Sequence, residues 1–299
     1  MAEGRCRGAS VARRARRRYS RAVSTKKILI DTDCGVDDAV AIMMALASPE
    51  EVSVMGITTV SGNVPVDSVV DNVLRLLSFL GRTDIPVFRG ASRPLVEPAH
   101  HAADVHGARG LGDAELSPPG MAERAERAPE GIAKIARENP GLTLLTLGPL
   151  TNIAMALNLY PELRRLVAEI VTMGGAIETG NVTRFAEFNF HADPESVQSV
   201  LDSGIPIVLL PWDTCLQMTH TEEQLESLGM STSASGRLVL ALQQTVFRFN
   251  QKARGERVTM LPDPLAAAWL IEPRIAGRLV ASGMRMELDH STMRGASVR

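Results

Sequence analysis

The chain has 299 residues, enough for one large core or two small ones, with a formal net charge of -2 and a sequence pI near 6.3. That balance excludes a polyanion-binding protein. No run is long and apolar enough to span a bilayer, so neither nucleic acid nor membrane is an expected partner. The cysteines, Cys6, Cys34 and Cys215, show neither metal-type nor disulfide-framework spacing, which fits a reducing, cytoplasmic setting.

In chain order, "RCRGASVARRARRRYSRAVSTKK" comes first, rich in Arg and Ser, with Glu3 the only acid before the first strand. It suits a transit peptide, which would make the location organellar. It suits equally a disordered basic tail or upstream sequence from a misplaced start. Residues 1–25 are therefore set apart from a domain over 26–299. From Lys26 the pattern alternates. "KILI" reads as a buried strand and "DDAVAIMMALA" as a helix of 3.6 period. "VSVMGITTV" is a second strand, "VPVDSVVDNVLRLLSFLG" a helix closing on Gly81, and "IPVF" a third strand. The stretch from Arg89 to Pro129, rich in Gly, Pro, His and Ala, reads as loops and turns. Strand "LTLLTLG", helix "TNIAMALNLY", strand "EIVTMGG", helix "DPESVQSVLDSG" and strand "IPIVLLPWD" follow. A long helix, "SGRLVLALQQTVFRFNQKARGE", and a late one, "DPLAAAWLIEP", precede the tail "MRMELDHSTMRGASVR". Such alternation predicts an α/β fold, an open, mostly parallel, Rossmann-like sheet with helices on both faces.

Ligands of such sheets sit beyond the carboxyl ends of the strands. Polar residues recur there: Asp31, Asp33, Asp37 and Asp38, then Asn63, then Gly148 and Asn152. Asn181, Glu187, Asn189, Asp213 and Asp263 continue the series, and one shared polar site is expected. Acids crowded into "DTDCGVDD" repel one another beside an apolar core. Helix capping accounts for one of them, not four. Without nearby Cys or His pairs they are hard oxygen ligands, suited to Ca2+ or Mg2+ rather than zinc. Haloacid-dehalogenase-type phosphatases also carry two Asp after their first strand. Their usual Thr or Val is Cys34 here, and no convincing later Lys and acid pair is present.

"DTDCGVDDA", "TTVSGN", "VHGARGLGD", "LGPLTNIAMAL", "MGGAIETGNVTRFAEFNFHADPE" and "PDPLAAAW" occur in this order. Together they resemble the inosine-uridine preferring nucleoside hydrolase family, from Lys26 to the end. The resemblance implies the nucleoside hydrolase fold, one bound Ca2+, and hydrolysis of the N-glycosidic bond of ribonucleosides. It implies that Asp33, Asp38, Asp263 and the Leu147 carbonyl bind Ca2+. It further implies that Asp37 takes the ribose 2-hydroxyl, that Asn63, Asn189 and Asp263 reach the sugar hydroxyls, and that Asn181 and Glu187 reach the 5-hydroxyl. His106 matches the His near the base, and Asp33 is placed as general base toward a metal-bound water. A homodimer or homotetramer and a role in purine and pyrimidine salvage are implied as well.

Three departures stand out. Pro262 occupies the place where many relatives carry a His that helps protonate the departing base, and proline has no proton to give. Cys34 replaces a common Pro, with little effect expected. The tail looks like the start of a strand pair that relatives extend, so a shortened C-terminus with an unpaired edge is expected. These departures keep a second function open, a nucleoside- or ribose-binding protein with little turnover. The base is expected to meet loop 99–119 and the helix around Phe247 to Arg257.

Overall fold

The computed structural model describes residues 25–299; the basic segment, apart from Thr25, lies outside the described residues. Strand β1 (Lys26–Thr32) sends Ile28 and Ile30 to one face and Leu29 to the other, all fully buried. A strand covered on both sides requires that pattern. Helix α1 (Val36–Ala47), β2 (Val52–Thr59), α2 (Val66–Phe79) and β3 (Val87–Arg89) build one half of the sheet. The chain then crosses β1. A short helix α3 (Ala103–His106) and α4 (Ala128–Glu138) lead to β4 (Leu142–Thr146), α5 (Thr151–Leu159), α6 (Leu163–Leu166) and β5 (Val167–Met173). Helices α7 (Phe188–Ala192) and α8 (Pro194–Leu201) precede β6 (Ile207–Leu210). The strand order is β3-β2-β1-β4-β5-β6 with every pair parallel, so it reverses at β1 and leaves a crevice beyond the ends of β1 and β4.

After β6 come α9 (Trp212–Cys215), β7 (Thr219–Thr221), α10 (Glu222–Ser227), α11 (Ala234–Arg254), β8 (Val258–Met260) and α12 (Pro262–Ile271). Helices α1, α2, α11 and α12 close one apolar layer around Ile28 and Ile30. Helices α4, α5 and α8 close the other around Leu29. Truncating such a fully buried side chain to Ala costs about 2–5 kcal/mol. Helix α11 stops at Gly255, whose φ of 76° a glycine adopts at no steric cost.

The sequence reading ran loops through to Pro129 and assigned nothing before "LTLLTLG"; α4 corrects it. Pro129 sits in the first turn, where its missing N–H has no intrahelical partner to lose, and Ile132, Ala133, Ile135 and Ala136 face the core. The antiparallel pair β7–β8 was also unforeseen, being only three residues a side. It matters because β8 delivers Pro262 and Asp263. Asn250 Nδ2 donates to the Val258 carbonyl at 2.9 Å, and Thr259 Oγ1 to Gln243 Oε1 at 2.6 Å, so α11 fixes β8 from behind. In the tail, β9 (Arg285–Met286) pairs antiparallel with β10 (Ser297–Val298). Arg294 in its connection reaches Glu195 at 2.6 Å and Glu97 at 3.4 Å, pinning the hairpin to α8 and to the loop after β3. No helix among the described residues is long and apolar enough to cross a membrane.

Candidate active site

The turn after β1 is shaped by hydrogen bonds to its own acids. Gly35 is the N-cap of α1, and Asp38, three residues on, reaches back to the Gly35 N–H at 2.8 Å. Its other oxygen accepts from Thr32 Oγ1 at 2.5 Å, and Asn63 Nδ2 adds a contact at 3.3 Å. Asp38 is thus the capping acid the sequence allowed for, and it faces the site as well. Asp33 is fully buried and accepts the Asn63 N–H at 2.7 Å through Oδ2. Close neighbours hold it: a Cβ on Gly148 would lie 2.9 Å from its carboxyl carbon, and one on Gly62 would overlap its Oδ2. Both positions need glycine for that approach.

Asp37, Asp38 and Asp263 each turn a ligand oxygen toward a common point, the three oxygens within 4.8 Å of one another. The sequence reading expected Asp33, Asp38 and Asp263. Asp33 lies alongside, within interaction range of Asp38 and Asp37, and the close triplet brings in Asp37. Burial, then mutual repulsion, pushes the Asp33 and Asp263 carboxyls well up from their usual range. Asp38 is raised by burial and by Asp37, and burial lifts Asp37 to about 6. Asp33 Oδ1 and Asp37 Oδ1 have no hydrogen-bond partner among the described residues. Hard oxygen donors, two of them unpartnered, fit a divalent cation of the calcium or magnesium type.

A cavity of about 220 Å3 opens above this cluster. Its polar floor holds Asp37, Asp263, Asn63, Asn181, Glu187 and Asn189, with Leu147 beside them. Asn189 Nδ2 donates to the Leu147 carbonyl at 2.8 Å, and Asn181 Oδ1 accepts the Phe188 N–H at 2.8 Å. Glu187 caps α7, taking N–H groups from Asn189, Phe190 and Gly175 at 2.7–3.2 Å, and burial lifts its carboxyl to about 7. His106 lies in the wall. Its Nδ1 accepts the Val36 N–H at 3.2 Å, so the proton of the neutral ring sits on Nε2; burial lowers its pKa to about 4.

Asp31, Asn152 and Asp213, expected in the shared site, are elsewhere. Asp31 Oδ1 accepts from Thr58 Oγ1 at 2.5 Å and from Asn152 Nδ2 at 2.7 Å, tying β1 to β2 and α5. Asp213 accepts the N–H groups of Ile177, Glu178 and Thr179 and shapes the loop after β5. Asp31 thus serves the packing of neighbouring elements and Asp213 the backbone of a loop. Cys34 corrects another expectation: its φ of 32° and its N–H bond to Thr32 Oγ1 at 3.0 Å leave no room for proline on this backbone. The apolar wall was missed: Trp212, Phe188, Val182, Met173, Val246 and Met260. The α11 side was foreseen, where Phe249, Asn250 and Arg254 line the cavity, and so was loop 99–119, which supplies Ala102, Val105 and His106.

Residues 28–299 match the family described as inosine-uridine preferring nucleoside hydrolase. The chain belongs to that family. It is an enzyme of the kind that hydrolyses N-glycosyl compounds, on the family's open parallel sheet. An uncharacterized protein of Schizosaccharomyces pombe is 41% identical over 276 residues, covering 91% of this chain and 88% of its own. The pyrimidine-specific ribonucleoside hydrolase RihA of Citrobacter koseri is 40% identical over 250 residues, covering 83% of this chain and 80% of its own. Among solved structures, a plant nucleoside hydrolase superposes with a TM-score of 0.87 at 34% identity, over 92% of this chain and 86% of that one. A purine-preferring ribonucleoside hydrolase from Gardnerella vaginalis gives 0.85 at 30%, over 91% and 87%.

Proposed function

We propose that residues 26–299 act as one Ca2+-dependent ribonucleoside hydrolase domain, releasing ribose and free base. One observation carries this reading: through Asp263 and Asp37, the latter with an unpartnered oxygen, the buried acid cluster opens into the same cavity as Asn63, Asn181, Glu187 and Asn189. Asp33, Asp38, Asp263 and the Leu147 carbonyl would hold the cation, and the close triplet adds Asp37 to that set. Bound there, Ca2+ supplies Lewis acidity that lowers the pKa of a water and grips a vicinal diol.

The chain's own residues do the rest. Asp33, with Oδ1 free, takes the proton of the attacking water as general base. Asp37 accepts from the ribose 2-hydroxyl, while Asn63, Asn189 and Asp263 orient the sugar. Glu187 and Asn181 receive the 5-hydroxyl; three N–H groups reach Glu187, and a carboxylate accepts about four hydrogen bonds. Positive charge grows on the sugar as the bond breaks, and the carboxylates beneath it stabilise that charge. His106, neutral, offers its Nε2 proton toward the base. With a cation held there the diol would be one of its ligands, and 2-deoxyribosides are expected to be poor substrates.

Pro262 supports the second reading, a nucleoside or ribose binder with little turnover. Purified protein is incubated with inosine, uridine, adenosine and cytidine plus Ca2+, and ribose release is followed. Release from any of them supports the hydrolase. Binding without release supports the binder. Cytoplasmic nucleoside salvage and a homodimer or homotetramer belong to the same proposal, the assembly checked by sedimentation.

A further inference from the structure

Pro262 leaves the departing base without a proton donor at that position, so the negative charge it gains falls to His106 and to other groups at this end of the cavity. Helix α11 presents Val246, Asn250 and Arg254 to the cavity, four residues apart on one face. Val246 is apolar, and Asn250, itself buried, spends one of its two amide N–H donors on the Val258 carbonyl. Arg254 stands one turn further out, exposed. Other arginines near the site are engaged. Arg248 pairs with Asp113, and Arg257 pairs with Glu222 while covering the Phe247 ring at 5.4 Å. Among the described residues no ion pair or hydrogen bond engages the Arg254 guanidinium, and it is the one Arg or Lys lining the cavity. A permanently charged guanidinium with free N–H groups, beside an apolar and aromatic wall, is placed to meet an oxygen that gains charge.

On the hydrolase reading given above, we infer that Arg254 is a specificity-determining residue that stabilises the leaving base through a carbonyl oxygen, selecting bases that carry one. The C1–N bond breaks with both electrons passing to the base nitrogen. The charge spreads through the ring onto its carbonyl oxygen, which accepts an N–H from Arg254. The attacking water adds its hydroxide to C1 and gives its proton to Asp33, and solvent returns a proton to the released base. Uracil-type bases have such an oxygen beside the glycosidic nitrogen. Adenine has none.

The experiment compares uridine, adenosine and p-nitrophenyl riboside on wild type, Arg254→Met and Arg254→Lys, all with Ca2+. The nitrophenolate departs unaided, so it reports the ribose machinery alone. Arg254→Met is expected to lower kcat/KM on uridine by roughly tenfold to a hundredfold, discounted from the loss of a buried oxyanion donor because the side chain is exposed. The nitrophenyl substrate and adenosine change less than about threefold, and Arg254→Lys recovers part of the uridine rate. Equal losses on uridine and the nitrophenyl riboside, or no loss on uridine, overturn the assignment while leaving the hydrolase standing. Wild type inert on all three substrates overturns the hydrolase reading, and this inference with it.

Discussion

The two ends of the cavity are made by different means. The ribose end is built at strand ends, where Asp33, Asp37 and Asp38 leave β1 and are fixed by backbone N–H groups and by glycines on both sides. The base end is built from side chains of α3, α9 and α11 and from loops, mostly apolar and joined by few hydrogen bonds. One end is rigid because its polar groups have nowhere else to turn. The other varies without disturbing the sheet, which suits relatives with purine and pyrimidine preferences.

That contrast can be broken by substitution. Asp33→Ala should cost about a thousandfold or more in turnover with little change in thermal midpoint, measured by ribose release and melting; a near-normal rate would remove Asp33 as the base. Gly148→Ala pushes a methyl into the Asp33 carboxyl and should cost about a hundredfold in kcat, by misplacing the base rather than removing it. Phe249→Ala at the base end should raise KM about tenfold with kcat kept; a fall in kcat of the same size would mean that the wall acts on the chemistry and not only on binding.

The smallest effect concerns pH and stability. Burial lifts the Asp31 carboxyl from 3.8 to about 7. A carboxyl raised in the folded state stabilises fully below its unfolded value, and that contribution is lost as pH rises from about 4 through 7. Melts of metal-free protein across this window should show the wild type losing up to a few kcal/mol that Asp31→Asn does not lose. Parallel curves would place the charge of Asp31 outside the pH response.

The ribose end was legible because its residues lie within a few positions of the strand that aims them. "DTDCGVDD" and "EFNFHADPE" each put neighbours in sequence into the same few ångströms. Asp263 is distant in sequence, yet it opens the late helix and could be placed. Asp31 and Asp213 misled because an acid at a strand end looks the same whether it serves a ligand or the fold; only the partners, the side chains of Thr58 and Asn152 in one case and three backbone N–H groups in the other, distinguish them. Trp212, Val182 and Met260 carried no signal, since an apolar residue lining a cavity obeys the same pattern as one filling a core. Helix α4 fell between the loop stretch that ends at Pro129 and the strand "LTLLTLG", in residues to which no element was assigned.

Gly62 follows β2 and Gly148 follows β4, and both close on the carboxyl that follows β1. Catalytic competence is therefore a certificate of assembly. A slip of one residue in either pairing would turn alternate side chains to the opposite face and pull the glycines away from Asp33. Misregistered chains would be silent rather than half-active, and recovery of turnover after denaturation would count the sheets that closed in register.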